Sequence, residues 1–420
     1  MQIDLPYGHS SVRVEVPDHA KVVNLKPADE PVDIQSEIRM ALEHPVGSMP
    51  LRSLARGLQD AVIVINDVTR PAPSGEMLEA LLEELLHAGL TENRVTVVIA
   101  NGNHRPCTSF EIRQMVGDDL FERLRIINHD ANDSKHLTRV GQTKTGLPVW
   151  ANKTVANASF KILTGLISPH HSAGYSGGRK SLIPGVAGLE TLKQHHSFPF
   201  RPFAPAYGWM KGNPFHEEAV RIAKKVGINF ILNVIQDSIG NFFKAVAGDL
   251  VAAHEKGVSM GNPFWEVSLP HRYDLVITTP GGFPRDIDLH QAQKAVSAAE
   301  TMIQSNGIIV LIAECQDGLG KWKASWLKSA RSPQEVIERF QKEGFTEDHT
   351  SKDFMCARAV AQYRVILFSK GIPEKTARQI FFTPAASAQA AVDLALELSG
   401  KNANVLVLPR AVNCVPRIDG

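Results

Sequence analysis

The chain has 420 residues and a net charge of +1, with 43% hydrophobic and 21% charged residues. That length favours two or more domains, and the near-zero charge points to neither a nucleic-acid nor a membrane-surface partner. No run approaches about 20 apolar residues, and no basic region followed by an apolar run opens the chain, so neither a membrane span nor a secretory signal is expected. Cys107, Cys315, Cys356 and Cys414 lack metal-type spacing and read as reduced thiols of a cytoplasmic protein.

Val12, Val14 and Val16 alternate with polar residues, the pattern of a strand. Residues 61–65 form a clearer, buried strand that runs into Asn66, Asp67, Val68, Thr69 and Arg70. Met77, Leu78, Leu81, Leu82, Leu85 and Leu86 then recur at helical spacing within 75–90. Residues 95–100 form the next strand and end in a loop carrying His104. Residues 160–167 form another, followed by His170 and a glycine-rich loop to Gly185. Three strands thus end in polar loops, and in a parallel sheet those carboxyl ends share one edge. Asn213 and Pro214 open a helix that stops at Gly227, and 230–235 is a strand. Residues 249–254 read as a short helix, and Gly261, Asn262, Pro263, Leu269 and Pro270 as linker composition.

From Asp274 a fresh alternation begins. Strands are predicted at 275–278, 307–313, 365–368 and 405–408, and helices after Asp288, at 333–340 and at 385–398. Such repetition predicts a doubly wound parallel sheet. The expected fold is therefore α/β with two domains, 1–265 binding a cofactor and 266–420 forming the second sheet, and an active site in the cleft between them. The tail after Pro409 is expected to return to the first domain.

The loop 169–185 holds most of the chemistry. Its glycines let backbone N–H groups approach an anion, and Arg179 and Lys180 add positive charge. His170 opens the loop, and His196 follows Lys180 by sixteen residues. A nucleotide-phosphate loop of the Walker type needs Gly directly before Lys-Ser, where this chain has Arg179. There is no regular G-x-G-x-x-G either, which disfavours a dehydrogenase using soluble NAD. Asp67 and Arg70 read equally well as a carboxylate clamp or as a solvated loop ion pair. His104 alone reads as an exposed turn residue, Gln291 and Lys294 as a polar helix face, and Phe354 and Trp326 as core. His195 and His196 are adjacent, so at most one serves a given site. One histidine is no protein metal site, so a metal there needs ligands from elsewhere.

The segments NDVTRPAP at 66–73, GNHRP at 102–106, PHHSAGYSGGRKSLIPG at 169–185, His196, GNP at 212–214 and QAQK at 291–294 resemble the lactate racemase family, in order and across nearly the whole chain. The resemblance implies an isomerase: a racemase or epimerase of a small-molecule 2-hydroxy acid. It implies a nickel-pincer nucleotide, a pyridinium mononucleotide with two thio-acid groups, supplied by cofactor-biosynthesis proteins. In that reading His196 is the nickel ligand and Lys180 the lysine that joins a thio-acid group covalently. His104 and His170 are the acid/base pair, and Arg70, Gln291 and Lys294 bind substrate. Asp67, Thr69, Ser176, Gly177 and Gly178 hold the cofactor, with Phe354 in the place of a family tryptophan beside the pyridinium. Hydride leaves C2 for the cofactor and returns to the opposite face. The alternative is a non-catalytic carrier of a phosphorylated nucleotide cofactor.

Overall fold

The computed structural model describes residues 1–28, 32–70, 72–346, 350–400 and 402–418; Pro71 of the 66–73 segment lies outside them. Ala61–Asn66 and Phe160–Ile167 are buried along nearly their whole length. Continuous apolar runs of this kind need cover on both faces, as in a parallel sheet between helices. They sit side by side in a six-stranded sheet ordered Phe242–Gly248, Phe230–Gln236, Phe160–Ile167, Ala61–Asn66, Val95–Ala100 and Arg125–Asn128. All neighbours are parallel except the edge pair Phe230–Gln236 with Phe242–Gly248. From Ala61–Asn66 the chain winds outward to Arg125–Asn128, then restarts on the other side at Phe160–Ile167. Loops leaving those two central strands diverge and open a crevice between them.

The second sheet is wholly parallel, ordered Thr383–Pro384, Arg364–Phe368, Ile303–Ile312, Tyr273–Thr278, Val405–Leu408 and Lys21–Val22. It restarts in the same way, between Tyr273–Thr278 and Val405–Leu408. The molecule is a two-domain α/β protein. Among the described residues no helix is long and apolar enough to cross a membrane.

Local chemistry places the helices. Asn213 caps Pro214–Val226 by accepting from Phe215 N at 3.0 Å, and Gly227 ends it at φ 77°. Asp288 caps Leu289–Ala299 by accepting from Gln291 N at 2.7 Å.

Two expectations are corrected. The first residues belong with the second sheet: Lys21–Val22 pairs with Val405–Leu408, and the hairpin of Gln2–Tyr7 and Ser10–Glu15 packs Leu5, Tyr7 and Val14 on its core. The linker at 261–263 is helical, since Ala252–Trp265 runs through it. Gly261 is there for packing, because an added Cβ would lie 2.0 Å from the Trp265 ring. Likewise Glu266–Leu269 is a strand, paired in parallel with Val415–Ile418. Val415 packs with Ile167, Tyr175 and Trp265, so the tail does reach the first domain.

Trp265 is fully buried and donates Nε1–H to Gln236 O at 3.0 Å. Trp265→Ala should cost about 3–5 kcal/mol through the cavity it leaves. Denaturant unfolding checks this, and an unchanged midpoint contradicts the role.

Candidate active site

The strand Ala61–Asn66 delivers Asp67 to the crevice, where it is almost fully buried. Asp67 Oδ1 accepts from Thr69 Oγ1 at 2.7 Å, and Oδ2 lies 2.6 Å from His104 Nδ1. Burial pushes the Asp67 carboxyl up, but His104 and Thr69 outweigh it and the carboxyl sits below its ordinary range. A carboxylate only accepts, so His104 carries its proton on Nδ1 and presents Nε2 as a base. Arg70 is exposed, and its guanidinium meets only Thr69 among the described residues.

Phe160–Ile167 delivers the second histidine, with the opposite assignment. His170 Nδ1 accepts the N–H groups of Ser172 and Ala173, both at 3.1 Å, so the ring proton sits on Nε2. That Nε2 is 2.7 Å from Lys180 Nζ. An ammonium has no lone pair to receive an N–H, so the contact requires a neutral amine. The electrostatics agree. Burial first, then the charges of Arg70, Arg179 and Lys294, hold Lys180 well below the ordinary lysine range. Burial first, then the basic groups around it, among them Lys294 and Arg70, hold His170 well below its own.

In the expected phosphate cradle, Ser176 and Gly178 have hydrogen-bond partners within the fold. Ser176 Oγ donates to Leu166 O at 2.6 Å and receives Ser168 N–H at 2.9 Å. Gly178 N–H donates to Asn233 Oδ1 at 2.7 Å. Gly177 has φ 79°, and a Cβ there would lie 2.6 Å from Asn233 Oδ1. Arg179 is buried too, and spans the carbonyls of Ala173, Tyr175 and Gly177 at 2.7–3.1 Å. These residues shape the loop that aims His170 and Lys180.

His196 follows the helix Leu189–His195 and its Nδ1 donates to Leu192 O at 3.0 Å. That bond leaves Nε2 unprotonated and available to a metal. His195 is instead tied to Phe215 O through Nε2 at 2.8 Å. Among the described residues no three His, Cys, Asp or Glu side chains converge as a metal site, so a metal at His196 needs donors from another molecule.

Leu289–Ala299 brings Lys294 and Gln291 from the second domain, with Lys294 Nζ donating to Gln291 Oε1 at 2.6 Å. Burial and the charge of Arg70 push Lys294 down to about 7. The charges of Arg70 and Lys294 both reach His170, so both domains contribute to one site. Phe354 packs as a core residue. Its ring is fully buried, stacked on Phe340 at 4.6 Å and edge-on to Phe198 at 5.4 Å. The same helix, Thr350–Gln362, sends Lys352 toward the polar cluster, where it acts on His171 and Lys294. Lys352 and Arg201 were missed because no local pattern marks a buried basic side chain, and His171, though inside the 169–185 loop, carried no signal that set it apart from His170.

The lactate racemase N-terminal domain family matches residues 7–204, and the lactate racemase C-terminal domain family matches 270–415. The lactate racemase of Thermoanaerobacterium thermosaccharolyticum is 32% identical over 99% of both chains. That of Lactiplantibacillus plantarum is 29% identical over 98% of this chain and 99% of its own. The structure of the Thermoanaerobacterium lactate racemase apoprotein superposes with a TM-score of 0.93 at 31% identity, covering 99% of this chain and all of that one. A Thermotoga maritima protein, at TM-score 0.66 and 16% identity over 94% of this chain and all of its own, shares the fold. This two-domain α/β protein is an isomerase, a racemase by class. It belongs to the lactate racemase family.

Two outcomes test the electrostatics. At pH 7 Lys180 should react with acetic anhydride before the exposed Lys321, and the gap should close as surface lysines deprotonate. Peptide mass mapping checks this, and equal rates at pH 7 contradict a neutral amine. Lys294 releases its proton near 7 when folded but holds it to the ordinary lysine range when unfolded, so stability rises with pH across that window. Lys294→Met should flatten part of the rise in Tm between pH 7 and 9.

Proposed function

We propose that this chain racemises or epimerises a 2-hydroxy acid with a nickel-pincer nucleotide, using His104 and His170 as the acid/base pair. The ring-nitrogen assignment carries this reading. His104 offers a bare Nε2 while His170 offers an Nε2–H, each fixed through Nδ1. Inversion at a carbon bearing a hydroxyl needs one group to take the hydroxyl proton and another to return one.

The residues present fit the cofactor. His196 would supply one nickel ligand through Nε2, because Nδ1 is committed to Leu192 O. Lys180, a neutral amine, would hold a thio-acid group of the cofactor covalently as a thioamide, with water as the leaving group, so that the sulfur stays available to nickel. Cations without carboxylate partners suit an anionic ligand. When bound, the cofactor supplies a hydride acceptor for the C2 hydrogen. The chain's own residues do the rest. Arg70 and Lys294 hold the carboxylate from opposite domains, and Gln291 orients Lys294 by accepting its proton at 2.6 Å. Asp67 stabilises His104 once it gains the hydroxyl proton. In the reverse direction the two histidines exchange roles. Lactate, the substrate in the relatives' name, is the first compound to assay.

Substrate deuterated at C2 separates this chemistry from proton abstraction. A hydrogen carried as hydride does not exchange with water, whereas a proton held by histidine does. The opposite enantiomer should therefore keep most of its label, without added NAD. His104→Ala and His170→Ala should each lower turnover by about 10²–10⁴ in both directions. Extensive washout of label in a single turnover sinks the hydride reading.

A further inference from the structure

We propose that Arg201 and Lys352 form a buried oxyanion subsite distinct from the Arg70–Lys294 clamp. Arg201 is 4% exposed. Its Nε has no hydrogen-bond partner, and its Nη2 reaches only the thioether of Met355, at 2.7 Å. A thioether is a weak acceptor and a poor match for a guanidinium. Lys352 is 6% exposed, and its acceptor is the Gln293 amide oxygen at 3.5 Å, the outer limit of a hydrogen bond. Neither forms an ion pair among the described residues. Asp288 is the acid whose charge reaches Lys352, and it is occupied in capping its own helix.

Buried cations are normally paired, since removing a charge from water costs several kcal/mol. Here Arg201 and His171 come from the first domain, Lys352 and Lys294 from the second, and the charges act on one another. An arginine fork and a point-charge lysine converging from two sides suit a carboxylate or a phosphate. The source is either a distal carboxylate on the 2-hydroxy acid, which makes the substrate a dicarboxylate, or an anionic group of the cofactor. The assignment of a source rests on the function proposed above, whereas the subsite itself does not.

The first arm uses the cofactor-free full chain. Arg201→Met removes an unpaired buried charge and Lys352→Met a buried amine whose ammonium form is opposed by burial, so each should raise Tm by about 2–4 °C. Inorganic phosphate and 2-hydroxybutanedioate should raise Tm of the parent chain, and lactate should do so less. Both Met variants should lose the phosphate response, and Lys352→Arg should keep it. A lowered Tm in both Met variants, or an intact phosphate response in both, overturns the subsite. This arm needs no nickel and no racemisation, so it fails separately from the proposed reaction. The second arm assigns the source in cofactor-loaded protein. A raised KM for 2-hydroxybutanedioate, with lactate kinetics and nickel content unchanged, identifies the substrate. A loss of bound nickel and nucleotide in both variants identifies the cofactor.

Discussion

Basic side chains buried without matching anions are the constraint on which this molecule is built. Lys180, Arg201, Lys294 and Lys352 crowd the space where the two sheets present their loops, and the carboxylates within reach have other tasks. Asp67 holds Thr69 and His104, and Asp288 caps a helix. Such a cluster opposes folding, and rigid surroundings must hold it. The two central strands of the first sheet provide this, since nearly every residue in them is buried.

The loop that follows Phe160–Ile167 converts rigidity into chemistry. Arg179 ties three backbone carbonyls, Ser176 ties the loop to Leu166 and Ser168, and Asn233 fixes the turn at Gly178. Once the backbone is set, two N–H groups choose the His170 tautomer, and that tautomer requires a neutral Lys180. Reactivity at Lys180 is therefore a consequence of backbone geometry several residues away. Ser176, Gly177 and Gly178 also hold in place the residues that face the crevice.

The same restart of strand order occurs in both sheets, and it explains why the site needs two domains. Each sheet opens a crevice where its strand order restarts. The first sheet contributes Asp67, His104 and His170 there, and the helix after the second sheet's central strand contributes Gln291 and Lys294. The tail strengthens the joint by pairing Val415–Ile418 with Glu266–Leu269 and by packing Val415 beside Tyr175.

Much of this was legible in the sequence, because it rests on local rules. Alternation and apolar runs marked the central strands, Asn213 and Asp288 marked helix starts, and the spaced motifs marked the family. Four matters were decided only by tertiary structure. The N-terminal hairpin joins the second sheet because the apolar face it must cover lies there. Gly261 sits inside the helix Ala252–Trp265, where the Trp265 ring takes the space a side chain would fill. Phe354 enters an aromatic core while Lys352, two positions earlier, turns to the site. The proton positions on His170, Lys180 and His196 follow from partners brought together by the fold. Propensity and spacing report what neighbours in sequence prefer, whereas burial of charge and choice of tautomer depend on neighbours in space.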